Sequence, residues 1–194
     1  RDLFFEEINT VEELKKAESA IKQRAEFSGK SNKVIILMCG NPATGKTISA
    51  QKIYDGLLAR RHAGLLTTLS VRNALNLTDL NSEEERNRVY KEIAKQADEA
   101  FESGKDILIL DGNFNKKQRR AVIYSVLAKH KADFYAVLCR VDNEKTIVRR
   151  MEYRKNNPYS IQDKADNMEL YHMIDKTSDP IGEDRIEGKA PKII

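Results

Sequence analysis

Short apolar runs alternate with longer amphipathic segments along most of the chain. The runs at residues 34–39, 107–110 and 134–141 are almost continuously apolar, which is typical of strands buried on both faces of a sheet. A weaker run at residues 65–69 predicts a further strand. A last edge strand is expected either at residues 192–194 or beyond them.

Between these runs, apolar residues recur at the three- and four-residue spacing of amphipathic helices. Helices are predicted at residues 11–27, 46–61, 82–103, 116–130, 143–155 and 162–176. The third helix begins with a capping pair, Ser82 and Glu85, and stops at Gly104. The inner side of the second helix is expected to carry Ile48, Ile53, Leu57 and Leu58.

Strands that alternate with helices of this length predict βαβ units and a mainly parallel sheet. Because the strands are apolar on both faces, helices should cover the sheet from both sides. The expected fold class is therefore α/β, with three layers in the order α/β/α. We divide the chain into an N-terminal helical extension at residues 1–32 and an α/β domain at residues 33–194.

Residues 40–47, GNPATGKT, match the phosphate-binding pattern G-x-x-x-x-G-K-[ST] at every fixed position. Glycines let successive backbone N–H groups point inward at phosphate oxygens, and the helix that follows adds its positive end. Lys46 should reach the β- and γ-phosphates, and the Thr47 hydroxyl should ligate Mg²⁺. Such a match arises by chance in roughly 1% of chains of this length or fewer. We therefore predict a P-loop NTPase fold whose nucleotide lies against Gly40, Asn41, Pro42, Ala43, Thr44, Gly45, Lys46, Thr47 and Ile48.

Asp111 directly follows the apolar run at residues 107–110. In P-loop proteins the strand beside the phosphate loop often ends in an Asp that positions Mg²⁺. An Asp at this place also occurs simply as a turn residue. Because the phosphate loop is present, we favour the first interpretation and predict that Thr47 and Asp111 form the metal site.

Arg149, Arg150 and Arg154 lie close together on the helix predicted at residues 143–155. The four-residue spacing places Arg150 and Arg154 on one face. Guanidinium groups stabilise the charge that spreads over a transferring phosphoryl group, although a solvated cationic face would look the same in sequence. The breaker at residues 156–158 could act as a hinge, so we predict that these arginines close over the nucleotide.

These segments together resemble the small P-loop kinases. The succession GNPATGKT, VRNAL, VYKEIAKQADEAFESGKDILILDGNF and RRMEYR is similar to the kinases labelled as an AAA domain and related to polynucleotide kinase, zeta toxin and chloramphenicol phosphotransferase. The resemblance covers about residues 33–181. It implies transfer of phosphate from ATP to a hydroxyl, with Mg²⁺ as the second cofactor. It also implies that the family's lid pattern, R-x-x-x-R, falls on Arg150 and Arg154.

The resemblance places the family's arginine after the second strand at Arg72, and it reveals one departure. Members carry an Asp about three residues before that arginine as general base, whereas this chain has Leu69. Asp111 and Asp79 are the two carboxylates considered as substitutes. A loose phosphoryl-transfer transition state depends more on positioning and charge than on proton removal, so the departure does not exclude a kinase.

Three functions follow from these residues. The first is an ATP-dependent phosphotransferase for a small-molecule hydroxyl, with Lys46, Asp111, Arg150 and Arg154 as its catalytic residues. The second is a 5′-hydroxyl nucleic-acid kinase, which is the less favoured. The third is a nucleotide-binding regulatory module with little or no transfer activity, for which Leu69 is the best support.

Composition discriminates only slightly among these three functions. The 194 residues contain 34 Lys and Arg against 30 Asp and Glu, and the net charge of +4 is too small to imply nucleic-acid binding by itself. The basic cluster at residues 116–120 is expected to be a solvated face. His62, His130 and His172 have no metal-ligand spacing.

The expected location is the cytoplasm. Cys39 and Cys139 each end an apolar run, so we expect buried, reduced thiols rather than a disulfide scaffold. No apolar run approaches the ~20 residues that span a bilayer, and acidic residues stand where a secretory signal would carry basic ones. No membrane partner is expected.

Overall fold

The computed structural model of this chain describes residue 19 and residues 33–58, 62–80, 82–158, 167–184 and 192–193. Ser19 is helical. The other expectations for the extension at residues 1–32 lie outside the described residues, as does the start of the helix predicted at residues 162–176.

Five parallel strands form one sheet in the order β2-β3-β1-β4-β5. The strands are β1 (Val34–Cys39), β2 (Ala63–Thr67), β3 (Ile107–Asp111), β4 (Asp133–Leu138) and β5 (Lys192–Ile193). The helices are α1 (Lys46–Leu58), α2 (Thr68–Ala74), α3 (Glu83–Glu102), α4 (Lys117–His130), α5 (Glu144–Asn156) and α6 (Met168–Thr177), and a 3₁₀ turn follows at Ile181–Glu183. The α/β prediction with a parallel sheet is confirmed.

The central strand β1 is buried along its whole length, because helices cover both faces of the sheet. One apolar cluster packs α3 and α4 against one face, and a second packs α1 against the other. Met38 lies opposite Asp111 in the parallel register of β1 and β3. The carboxyl ends of these two strands therefore meet at the same edge of the sheet, and this brings residues distant in sequence to one place.

The strand predicted at residues 65–69 is shifted. It runs from Ala63 to Thr67, and α2, which the sequence pattern did not predict, begins at Thr68. The Thr67 side-chain oxygen accepts a hydrogen bond from the Ser70 N–H at 2.9 Å and caps this helix. Leu69 therefore lies in a helix rather than in a strand.

Two further strand boundaries and the burial of one helix face can be compared with expectation. β4 ends at Leu138, three residues before the predicted end. The edge strand β5 pairs with β4, so the first of the two alternatives for it is confirmed. Ile48 is 63% exposed because it lies in the first turn of α1, whereas Ile53 and Leu57 are buried as predicted.

The basic cluster at the start of α4 is not uniformly solvated. The Arg120 side chain is 1% exposed and donates two hydrogen bonds to Asp184, Nε to Oδ2 at 2.6 Å and Nη2 to Oδ1 at 3.0 Å. The Tyr124 hydroxyl also donates to Asp184. We call residues 178–184, which end at this ion pair, the strap. The prediction of a solvated face is wrong for Arg120 because its charge is neutralised inside the fold.

Within the described ranges, no helix is both long and apolar enough to cross a membrane.

Candidate functional site

The phosphate loop, residues 40–47, connects β1 to α1 and has a strained backbone that glycine relieves. Gly40 and Gly45 have φ of 136° and 97°, and Ala43 has φ of 61°. A Cβ at Gly40 would lie 2.2 Å from the Cys139 carbonyl oxygen. Only glycine therefore fits at this position, since any side chain would collide with the backbone at the end of β4.

The first residues of the loop and its lysine are joined by hydrogen bonds. Lys46 Nζ donates to the Asn41 carbonyl oxygen at 2.7 Å, and Thr44 Oγ1 donates to the same oxygen at 2.8 Å. The Asn41 carbonyl thus fixes the position of the ammonium group. A cation held there can attract the oxygens of a phosphate chain lying in the loop.

Thr47 and Asp111 meet at the edge where β1 and β3 end. Thr47 Oγ1 donates a hydrogen bond to Asp111 Oδ2 at 2.7 Å. Asp111 is 6% exposed, and its Oδ1 is buried with no hydrogen-bond partner in the described part of the chain. Burial raises the pKa of Asp111 above its ordinary value, while the Thr47 hydrogen bond and the charges of Lys46 and Arg154 oppose this shift.

The helix α5 contacts the phosphate loop through one of its arginines. Arg150 Nη1 donates to the Ala43 carbonyl oxygen at 3.0 Å. Beneath this contact Ile147 and Met151 pack against Ala43 in a small apolar cluster. Arg154 is half-buried and its charge acts on Asp111, whereas Arg149 and Arg150 are both exposed. Of the predicted pair, Arg150 therefore contacts the loop directly, and Arg154 acts on the carboxylate at the end of β3.

A second contact with the loop comes from α6 and was not predicted. Asn41 Nδ2 donates a hydrogen bond to Asp175 Oδ1 at 2.7 Å. The two residues are 134 positions apart in the chain, and Asp175 belongs to no motif. A sequence pattern could not have identified it, because only the folded sheet brings α6 beside the loop.

A cavity of about 600 Å³ adjoins the first half of the phosphate loop. Its walls are the loop, the end of β4, the start of α4 and the segment from α6 through the strap. All four walls contribute polar side chains, among them Asn41, Asn115, Arg140, Asp142, Tyr171, Asp175 and Asp179. The cavity and the loop therefore form one continuous site.

The sequence profile of the AAA domain family matches residues 35–178. The chain belongs to this AAA domain family. The match spans both the phosphate loop and Asp175, whereas the strap residues 179–182 that line the cavity lie just beyond it.

Solved structures show the same fold as this AAA domain. The crystal structure of APE1195 is 19% identical, with a TM-score of 0.58 and coverage of 83% of each chain. Kti12 of Chaetomium thermophilum in complex with ADP-AlF₃ is 18% identical, with a TM-score of 0.56 and coverage of 82% of this chain and 88% of that one. The APS kinase CysC of Mycobacterium tuberculosis with AMPPNP and APS is 21% identical, with a TM-score of 0.53 and coverage of 74% and 79%. A search of curated proteins finds no match.

The residues expected on the acceptor side of the AAA domain have structural partners. Arg72 is buried in α2, and its Nη1 donates to Glu85 Oε2 at 3.1 Å and to the Asp79 carbonyl oxygen at 3.3 Å. Asp79 Oδ1 accepts from the Ser82 N–H at 3.2 Å. Both Arg72 and Asp79 thus help to hold α3 against α2, and Leu69 supplies no carboxylate beside them.

The two cysteines of the AAA domain lie beside the loop but are not reactive groups. Cys39 and Cys139 are both buried free thiols. Burial raises the pKa of Cys39 to about 12 and that of Cys139 to about 11, so both stay protonated at neutral pH. In the described residues no cluster of three His, Cys, Asp or Glu side chains could hold a metal ion.

Proposed function

We propose that this AAA domain is an ATP-dependent phosphotransferase that moves the γ-phosphate of ATP to a hydroxyl of a small-molecule acceptor. The observation that carries the proposal is the 2.7 Å hydrogen bond between Thr47 and Asp111. It joins the end of the phosphate loop to the strand-terminal carboxylate, the pair that organises the metal in P-loop enzymes.

The loop and the α5 arginines supply the charge that transfer requires. Lys46, held on the Asn41 carbonyl, would contact the β- and γ-phosphates, while backbone N–H groups of residues 40–47 bind the remaining oxygens. Arg150 and Arg154 would neutralise the transferring group. Because a phosphoryl-transfer transition state spreads negative charge over its oxygens, cations fixed in this way lower the barrier.

The residues at the end of β3 fit a magnesium ion. Mg²⁺ prefers oxygen ligands, and the Thr47 hydroxyl and the Asp111 carboxylate offer them side by side. The buried, unpartnered Oδ1 of Asp111 is a group that a cation would satisfy. When bound, the ion neutralises charge between the β- and γ-phosphates.

The comparisons support nucleotide binding and a kinase-type reaction. Kti12 was solved with ADP-AlF₃, and the APS kinase with AMPPNP and APS, so the same fold holds nucleotides in both. The volume of the cavity, about 600 Å³, is typical of small-molecule sites and favours a small acceptor over a nucleic-acid end.

The test is ADP release from Mg-ATP, measured with and without pooled acceptors. The pools contain nucleosides, sugars, antibiotics or 5′-hydroxyl oligonucleotides. We expect one small-molecule pool to stimulate release, and Lys46→Ala to abolish that stimulation. Lys52→Ala, an exposed lysine on the same helix, is the matched control and should leave it unchanged.

Each other outcome selects a different function. Stimulation by oligonucleotides with a steep salt dependence would establish the nucleic-acid kinase instead. ATP binding without stimulation by any pool would favour the regulatory module. A chain that binds no ATP would refute all three.

A further inference from the structure

The proposed transfer leaves one proton without an acceptor. Leu69 stands where the family pattern has its general base. Asp79 uses its carboxylate to accept the Ser82 N–H, and Asp111 accepts the Thr47 hydroxyl at the expected metal site. A base must lie within hydrogen-bond reach of the attacking hydroxyl. The carboxylates that line the cavity are those of Asp142, Asp175 and Asp179.

Asp175 lies at the end of the loop where the γ-phosphate is expected. Lys46, which reaches the β- and γ-phosphates in P-loop proteins, is held by the Asn41 carbonyl. The side chain of that same Asn41 donates to Asp175 Oδ1. One residue therefore connects the lysine to the carboxylate, and Asp175 is at the γ-phosphate end rather than at the base end of the site.

The contact leaves the second oxygen of Asp175 beside the cavity. Asn41 Nδ2 bonds to Oδ1, and Asp175 is an exposed side chain that lines the cavity next to Gly40 and Thr44. An acceptor occupying the cavity would thus contact both the loop and this carboxylate. The amide of Asn41 also orients the carboxylate, as a catalytic base requires.

The position of Asp175 is fixed from both sides of α6. Near the start of the helix, Met168 and Tyr171 pack on the apolar cluster that contains Ala43. Beyond its end, Asp179 Oδ2 accepts the Lys117 N–H at 2.8 Å, and the Asp179 N–H donates to the Asn115 carbonyl oxygen at 2.8 Å. The carboxylate is therefore carried on a rigid element that is anchored to the loop and to α4.

We propose that Asp175 is the general base of the reaction and that the acceptor hydroxyl binds in the adjoining cavity. In the step, the acceptor O–H gives its proton to Asp175, and its oxygen forms a bond to the γ-phosphorus. The bond from the γ-phosphorus to the bridging oxygen breaks, and its electron pair leaves on ADP. This assignment rests on the proposed phosphotransferase function.

The decisive variant is Asp175→Asn, because the new amide oxygen still accepts from Asn41 but can no longer take a proton. Nucleotide affinity is measured by titration with a fluorescent ATP analogue. Transfer is measured as single-turnover loss of the labelled γ-phosphate, both to water and to the pooled acceptors. We expect the dissociation constant to stay within about twofold and the rate to fall roughly 100-fold.

Two further variants separate a base from a positioning residue. Glu169→Gln, the matched control, changes an exposed carboxylate on the same helix and should change neither affinity nor rate. Asp175→Ser should lose the transfer rate to the same extent as Asp175→Asn, and it should also weaken nucleotide binding because the contact with Asn41 is lost.

The failures of the two proposals differ. A wild-type rate in Asp175→Asn, or a loss of affinity with no loss of rate, would overturn the assignment of the base and leave the phosphotransferase intact. A wild-type chain that binds ATP but transfers phosphate to neither water nor any acceptor would overturn both.

Discussion

The phosphate loop and the strap differ in how their structures arise. The loop is eight consecutive residues whose conformation is set by its own glycines and by hydrogen bonds within it, such as Lys46 to Asn41. The strap has no motif and is held by partners about 60 residues earlier, above all Arg120. Chemistry encoded in neighbouring residues can thus be predicted from sequence, whereas chemistry assembled across the fold cannot.

The loop and the strap also differ in the interaction that constrains them. At Gly40 the constraint is steric, since a Cβ would meet the Cys139 carbonyl. At the strap it is electrostatic, because Arg120 and Asp184 are 1% and 0% exposed. Removing one member of a buried ion pair leaves an uncompensated charge. Mutations in the strap should therefore lower the free energy of unfolding, whereas mutations in the loop should lower nucleotide affinity.

The largest effect is expected at the strap. Asp184→Ala leaves the Arg120 guanidinium buried without its partner, and we expect a loss of about 3–5 kcal/mol in unfolding free energy, measured by urea denaturation. Glu183→Ala, the exposed neighbour, should stay within about 0.5 kcal/mol of wild type. The double variant Arg120→Met with Asp184→Leu should recover most of the loss. An Asp184→Ala protein as stable as wild type would contradict the conclusion that this buried ion pair holds the strap in place.

The next effect is expected at the loop and should appear in binding. Gly40→Ala forces a collision with the end of β4, so nucleotide affinity should fall about 100-fold or more, equivalent to ~2.7 kcal/mol. The measurement is titration with a fluorescent ATP analogue.

Gly104 provides the matched control for that substitution. It also has a positive φ, of 92°, but a Cβ there meets nothing within 4 Å. Gly104→Ala should therefore cost about 1–2 kcal/mol of stability and leave affinity unchanged. Equal losses of affinity in the two variants would mean that backbone strain, rather than the collision, decides the effect.

A smaller effect should separate two adjacent arginines of α5. Arg150→Ala removes the contact with the Ala43 carbonyl and a charge near the phosphates, and we expect turnover to fall roughly 10–100-fold. Arg149→Ala removes an equally exposed guanidinium that no hydrogen bond joins to the loop within the described residues, and it should leave turnover unchanged. If both variants lose activity equally, α5 acts through its general positive charge and not through one placed guanidinium.

The smallest effect, a change in stability, is expected where α3 meets α4, outside the phosphate loop and the strap. Hydrogen bonds from Lys129 and His130 hold the pKa of Asp98 below its ordinary value of 3.8. A lowered pKa means that the ionised carboxylate stabilises the fold above that value, and the contribution disappears as the pH falls through the lowered pKa. Asp98→Asn should therefore be slightly less stable than wild type at neutral pH. Melting temperatures should converge in acid, and a gap that persists there would point to packing instead.

Sequence patterns were sufficient for the elements that carry local signals. Continuous apolar runs identified β1 and β3, and the Ser82 cap placed the start of α3, where its side-chain oxygen accepts the Glu85 N–H at 3.1 Å. The motif located Lys46 and Thr47, and the strand end located Asp111. Each of these depends on neighbours within a few positions.

The errors have two causes. Arg120 looked like part of a solvated cluster because its partner, Asp184, is 64 residues away. Ile48 follows the apolar spacing of α1 but lies in its first turn and is 63% exposed. For these two residues the deciding information is tertiary. The short helix α2 depends on the Thr67 cap, which is a local signal that the apolar periodicity does not contain.

The position of Asp175 in the chain also has a consequence for biosynthesis. The phosphate loop leaves the ribosome first, yet Asp111 follows it by roughly 60 residues and Asp175 by roughly 130, which takes several seconds to half a minute at ordinary rates of translation. During this interval the nascent chain has a complete motif but not yet both carboxylates. If Asp175 is the base, competence for transfer should appear only once α6 has emerged and docked.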